Sequence, residues 1–180
     1  MKVLQTKTNK VIKGRKPGYA IEKDPVKILG KNFRLRIFYK NIKISELNLL
    51  GKDIQVFLPH KYKKIGNSAI LSLALDKMYE AIAREEIDKI MEKTRIMLGF
   101  APEDYTIEKI GTKLAHCSED KKITIDPEIV KYDRKIIEYI ILHQFCHLKY
   151  KTHAKKFYEI ISKHMPNYKL YEKALENTKY

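Results

Sequence analysis

Residues 134–149 read RKIIEYIILHQFCHLK, and this stretch decides the organisation of the second half of the chain. Asp133 is a plausible N-cap, and the run is apolar on nearly all sides with Glu138 as its one internal acid. We therefore expect a buried, central helix. His143 and His147 lie four residues apart, and hence on one face of that helix. Two imidazoles on one helix face can bind a single metal ion.

Gln144 occupies the position at which this kind of motif usually carries its catalytic acid. Metal-binding helices of zinc hydrolases normally read H-E-x-x-H, with the glutamate as general base. The metal half of the motif is present here, and the base half is missing. Two hydrogen-bonded core histidines would explain His143 and His147 equally well. His153 favours metal binding, because a short turn can fold it back over the pair, and three histidines plus water complete a catalytic zinc tetrahedron.

Residues 134–175 resemble the YgjP-like (WLM-related) zinc metallopeptidase family of the zincin group. The family pattern H-E-L-x-H-L, then H-x-x-x-F, then Pro-x-Tyr, corresponds here to HQFCHL at 143–148, HAKKF at 153–157 and PNY at 166–168. A weaker resemblance covers most of residues 26–178. The resemblance implies that the ligands of a Zn²⁺ ion are His143, His147 and His153. It also implies a peptide or protein substrate.

The chain departs from the family pattern at two places. The catalytic glutamate of the family falls on Gln144. The W-G-S-C-like stretch before the substrate-facing strand reads LAHCS at 114–118, which leaves the edge of the substrate cleft altered. His116 is new there, and it is either a substitute polar group near the metal or an exposed loop residue. Tyr150 and Tyr158 either pack in the structure or stabilise an oxyanion.

The Gln144 side chain can hydrogen-bond a water molecule but cannot accept its proton. A glutamate in that position takes the proton from the attacking water and passes it to the leaving amine. Loss of a general base typically slows a reaction by about 10²–10⁴. We expect the chain to bind zinc and to hydrolyse peptides very slowly or not at all. It is then either a natural pseudoenzyme or an engineered Glu-to-Gln knock-out.

The pattern along the chain predicts an α+β fold. Residues 1–25 are predicted to form a basic arm, and residues 26–180 a single zincin-like domain. The domain is expected to begin with a small antiparallel meander, whose strands are placed at 28–38, 42–50 and 53–58. A long helix over 68–98 follows, closed by Gly99.

The remaining elements are short strands and closing helices. Strands are predicted at 105–109 and 122–125, before the metal helix. Two closing helices are predicted after it, the first from His153 to about His164 with Thr152 as its cap, and the second from Tyr168.

Composition leaves two further functions open. The chain has 180 residues, a net charge of +15 and two cysteines. Because it has no run of 18 apolar residues, no signal-peptide pattern and no disulfide framework, we expect a cytoplasmic protein without a membrane partner. The positive charge makes nucleic acid a candidate partner. The alternatives are therefore a non-catalytic basic module that binds nucleic acid, or a metal-dependent hydrolase of phosphorylated small molecules.

Overall fold

The computed structural model describes residues 21–63 and 68–176, and the chain divides into two compact units, Met1–Met78 and Tyr79–Tyr180. The first unit contains the strands β1 (Ile21–Ile28), β2 (Lys31–Lys40), β3 (Glu46–Leu50) and β4 (Asp53–Pro59), and helix α1 (Ser68–Leu98) begins in it. The second unit contains the rest of α1, then β5 (Asp104–Ile107), β6 (Ala115–Cys117), β7 (Lys122–Ile125), α2 (Arg134–His147), α3 (Lys155–His164) and α4 (Tyr168–Ala174). The predicted α+β class is confirmed.

The first sheet is mixed, so the predicted antiparallel meander is wrong in its strand pairing. The sheet order is β1-β2-β4-β3, with β4 parallel to β2 and antiparallel to β3. Strand β3 forms the edge of the sheet. After a turn at Gly51 the chain returns as β4, which lies between β2 and β3. The physical reason is burial. Ile54, Val56 and Leu58 of β4 are fully buried, whereas β3 exposes Leu49 and Leu50. The more apolar strand takes the central position.

The first strand begins earlier than predicted. Residues 21–28 and 31–40 form a hairpin, where the sequence pattern predicted one strand over 28–38. Leu29 and Gly30 connect the two strands, and both have positive φ angles, 49° and 76°. Such a two-residue turn matches the twist of paired strands. The predicted arm over residues 1–25 falls mainly on residues 1–20, which lie outside the described residues, and the proposed limits of the single domain stay a prediction.

Helix α1 spans the predicted residues. Gly99 ends it with a φ of 74°, and its N–H donates to the Arg95 carbonyl over 2.9 Å. This is the single backbone bond of a left-handed helix cap. In the second unit, Ala83 and Ile87 of α1 are fully buried. None of the described helices is long and apolar enough to span a membrane.

The second sheet has the order β5-β7-β6, with β7 parallel to β5 and antiparallel to β6. Strand β6 was not predicted, because three residues are too few for a periodicity signal. Ile123 and Ile125 of the central strand are fully buried. Strand β6 contacts α2, so the sheet edge lies beside the central helix.

Helix α2 is the buried centre of the second unit, as predicted. The Asp133 carboxylate accepts the Lys135 N–H over 2.9 Å and so caps the helix. Nine of its fourteen residues are buried, and the nine are Ile137, Tyr139, Ile140, Ile141, Leu142, His143, Gln144, Phe145 and Cys146. At the start of α2, Arg134 forms a bidentate ion pair with Glu86 of α1, and both N···O distances are 2.8 Å.

This ion pair generates a stability test. Glu86 is 9% exposed, so its carboxylate is shielded from water and Glu86→Ala should lower the free energy of unfolding by about 1–3 kcal/mol. The neighbouring pair of Glu85 with Lys89 is solvent-exposed, and Glu85→Ala should have a much smaller effect. Urea denaturation of both variants measures the difference. Equal losses in the two variants would contradict a structural role for the Glu86–Arg134 pair.

Candidate metal centre

His143 and His147 lie on one face of α2, and their ring nitrogens meet. The two Nε2 atoms are 3.1 Å apart. The helix accounts for this proximity, because residues four apart lie one above the other on its surface. His143 is 2% exposed, whereas His147 is half-buried. The pair therefore sits where the buried core of the second unit reaches solvent.

His153 reaches the same point from the loop between α2 and α3. Its Nε2 lies 3.0 Å from that of His143 and 3.1 Å from that of His147. The predicted helix start at His153, with Thr152 as cap, is wrong, because α3 begins at Lys155 and Ala154 occupies the N-cap. Outside the helix, His153 is free of the side-chain direction that helical geometry imposes, and it turns back towards α2.

The contacts among these three nitrogens cannot all be hydrogen bonds. Each imidazole nitrogen carries either one hydrogen or one lone pair, so three nitrogens can form only one such bond among themselves. A tetrahedral zinc ion bound at 2.0–2.1 Å holds its nitrogen ligands about 3.3 Å apart. The triangle of 3.0–3.1 Å is close to this spacing. Within the described residues, these histidines form a group able to hold a metal ion.

A backbone carbonyl orients the His147 ring. The Nδ1 atom of His147 lies 3.1 Å from the Tyr150 oxygen. A carbonyl can only accept, so Nδ1 donates, and the Nε2 of the neutral ring keeps its lone pair. That lone pair points into the triangle of nitrogens. A hydrogen bond on the far nitrogen is the usual way in which proteins fix a metal-binding imidazole.

The surroundings favour neutral imidazoles. Burial lowers the pKa of His143 to about 3, with smaller contributions from the charges of His147 and His153. Burial also lowers the pKa of His147, and this effect outweighs the opposing hydrogen bond to the Tyr150 carbonyl. Neutral imidazole is the form that binds a metal. At neutral pH both rings of α2 are therefore already in the ligating form.

This geometry agrees with the family to which the sequence aligns. The sequence model of the family described as YgjP-like, metallopeptidase domain, matches residues 1–178. The chain belongs to this family. Among solved structures, the crystal structure of the metallopeptidase zymogen abylysin of Pyrococcus abyssi is similar, with 24% sequence identity and a TM-score of 0.46. The likeness covers 51% of this chain and 92% of that chain. Among curated proteins, none matches the sequence.

Gln144 of this YgjP-like domain is buried beside the first histidine, at 2% exposure. It occupies the position that a glutamate normally holds in such a motif. The site therefore presents a buried amide where motifs of this kind carry a carboxylate.

Two of the other residues considered from sequence lie near the histidines. His116 is exposed on β6, where a loop was expected, and its charge acts on His147. The Tyr158 ring lies 6.0 Å from the His153 ring. Its hydroxyl donates to the Glu172 carboxylate over 3.3 Å. That bond ties Tyr158 to α4, and an oxyanion-stabilising role stays untested.

Cys146 and His164 play no part in the group of three nitrogens. Cys146 is fully buried, and burial raises the pKa of its thiol to about 12. Cys146 is therefore a small apolar core residue. His164 lines a separate cavity of about 250 Å³, together with Met165 and Tyr171.

Sequence reasoning missed two contributions to the site. The Tyr150 carbonyl belongs to the backbone, so the identity of the residue does not predict its contact with His147. Phe157 was noted only as part of a family pattern, yet its ring contacts all three imidazoles. Its position four residues after His153 is a usable signal, because helical side chains lean back towards the N-terminus.

The lowered pKa of His143 makes the metal-free domain sensitive to acid. The unfolded pKa is about 6.5, and the folded value is about 3. The stability contributed by neutral His143 is therefore complete above pH 6.5 and is lost as the pH falls towards 3. Urea denaturation of metal-free protein at pH 6.5 and 5 should show this loss. His143→Gln should make the free energy of unfolding less dependent on pH, by up to about 1.4 kcal/mol per pH unit. An unchanged dependence on pH would contradict a buried neutral His143.

Proposed function

We propose that this domain is a zinc metallopeptidase-type protein in which His143, His147 and His153 hold a Zn²⁺ ion and peptide hydrolysis is very weak. The observation that carries the proposal is the convergence of the three Nε2 atoms within 3.1 Å. Zinc is the metal of choice, because it takes imidazole ligands in a tetrahedral arrangement and catalytic sites leave one position open. Membership of a metallopeptidase family independently implies a metal ion.

The proton-transfer chemistry of the site is limited by Gln144. When bound, zinc supplies a Lewis acid that polarises a peptide carbonyl and makes water more acidic. The Gln144 amide can orient a water molecule, but it cannot take up its proton or deliver it to the leaving amine. Amides depend on that delivery, because an amine leaves poorly until it is protonated. Residual activity is therefore expected first on activated esters.

Strand β6 offers a binding edge for an extended peptide. It lies at the end of the sheet order β5-β7-β6 and contacts α2. One side of β6 therefore lacks a strand partner among the residues that the structure describes. A peptide that adds to such an edge gains backbone hydrogen bonds without a fixed sequence. This supports a peptide or protein as the substrate class, and the altered stretch at 114–118 would set its alignment.

The ligand set can be tested by metal analysis. His153→Ala should release the zinc during dialysis against a moderate chelator, whereas the parent should retain about one ion per chain. His164→Ala is the matched control, because this histidine lines a separate cavity, and it should retain zinc like the parent. Mass spectrometry for metals gives the content. Equal zinc in His153→Ala and the parent would remove His153 from the ligand set.

The role of Gln144 can be tested by restoring the acid. Gln144→Glu should raise peptide hydrolysis by roughly two to four orders of magnitude. Gln55→Glu introduces the same charge on β4 and should leave the rate unchanged. Cleavage of a quenched peptide library by the zinc-loaded variants gives the rates. Equal activity of Gln144→Glu and the parent would point to another base, such as His116. No activity in either, with zinc bound in both, would favour a non-catalytic binding module.

A further inference from the structure

Phe157 lies against all three imidazoles at once. Its ring centroid is 4.9 Å from that of His143, 4.9 Å from that of His147 and 4.7 Å from that of His153. The interplanar angles are 74°, 49° and 64°, so the contacts are edge-on or tilted, as aromatic rings prefer. Phe157 itself is fully buried. One apolar ring, the Phe157 ring, therefore packs against all three histidines and forms a common floor beneath them.

The position of Phe157 follows from local structure. Its N–H donates to the Ala154 carbonyl over 2.9 Å, which places it in the first turn of α3. Side chains on a helix lean towards its N-terminus, so the ring points back to the loop that carries His153. Ile161, one turn further along α3, is also fully buried. These two residues form the apolar stripe of α3 and fix the helix against the core.

We propose that Phe157 is a positioning residue, which holds the three imidazoles in their ligating arrangement before a metal ion arrives. The inference rests on the zinc site proposed above. An imidazole that is still free to rotate loses that freedom on binding a metal, and the loss weakens affinity. Contacts with a buried, immobile ring remove the freedom in advance. Hydrogen-bonding partners that orient metal ligands typically change metal affinity by about 10- to 100-fold when they are replaced, and we expect a similar scale for this packing contact.

The three histidines depend on this floor to different degrees. His147 has the Tyr150 carbonyl as a second restraint, and His143 is embedded in α2 at 2% exposure. His153 is exposed and lies in the loop before α3. Loss of the Phe157 ring should therefore disturb His153 most. A zinc site with one loosened ligand binds more weakly and less symmetrically.

A merely structural Phe157 would behave like another buried phenylalanine of the same unit. Phe145 is suited to the comparison, because it is also fully buried and its described ring contact is with Phe100, at 6.2 Å. It lies on α2 two residues from His143 and from His147, and residues two apart do not share a helix face. Phe145→Leu and Phe157→Leu remove the same atoms from two equally buried places.

The experiment compares three properties of the parent, Phe157→Leu and Phe145→Leu. These are the free energy of unfolding without metal, the zinc affinity by chelator competition, and the visible spectrum of the Co²⁺-loaded protein. Both variants should lose stability to a similar extent. Phe157→Leu should bind zinc about 10- to 100-fold more weakly and show altered Co²⁺ bands. Phe145→Leu should keep the affinity within about threefold and the spectrum of the parent, since its ring has no described contact with the ligands.

The outcomes separate the positioning role from the zinc site itself. Equal zinc affinities in the two leucine variants would overturn the positioning role while leaving the zinc site in place. A parent protein that retains no zinc would overturn both. If Phe157→Leu does not fold, Phe157→Met, whose unbranched and flexible side chain adapts to an irregular core, takes its place with the same expectations. Phe157→Tyr keeps the aromatic ring and should recover at least part of the zinc affinity; no recovery would count against the role of the ring.

Discussion

Three imidazole nitrogens of the second unit lie within 3.1 Å of one another. Such a triangle cannot satisfy itself by hydrogen bonding, and a shared cation satisfies all three nitrogens together. Two of the rings come from one rigid helix, so their spacing is fixed by helical geometry. The third comes from a loop and has to be held by packing. The buried α2, the loop after it and the first turn of α3 are the parts that achieve this.

Two separate effects set the state of the imidazoles at this centre. Burial holds His143 neutral, and a hydrogen bond to the Tyr150 carbonyl selects the tautomer of His147. Both effects prepare lone pairs for a cation before any cation is present. Since an imidazolium is repelled by a metal ion, a buried centre of neutral rings binds metal without first losing protons. The arrangement is thus suited to metal binding at neutral pH, independently of what happens at position 144.

Gln144 stands where motifs of this kind usually carry a glutamate. The converging nitrogens belong to three histidines, and an amide at position 144 leaves those imidazoles in place. A buried amide keeps the shape and the hydrogen-bonding capacity of the acid, and it loses only the ability to carry a proton. Under the function proposed above, the domain would therefore keep a metal-binding centre and lose only the proton transfer. The net charge of +15 adds a separate expectation about anionic partners, which stays a prediction.

Features that depend on neighbours along the chain can be predicted from residue type and spacing. Helix α1 with its Gly99 cap, the Asp133 cap of α2 and the shared face of His143 and His147 follow from local spacing and residue type. The mixed α+β class follows from segregated strand and helix patterns. In each case, residue type and spacing over neighbouring positions decide the outcome, so the pattern in the sequence is sufficient.

Features that depend on residues far apart in the chain could not be predicted in this way. Strand β4 pairs in parallel with β2 because the more apolar strand takes the central place in the sheet. The alternation of residues along a strand does not show which other strand it will pair with. Strand β6 exists because β7 pairs with it, and three residues alone carry no signal. The contacts of Phe157 with three imidazoles, like the bond from His147 to a backbone carbonyl, arise when α2 and α3 come together. The sequence pointed to the three histidines, and packing between elements, which no local pattern records, brought them together.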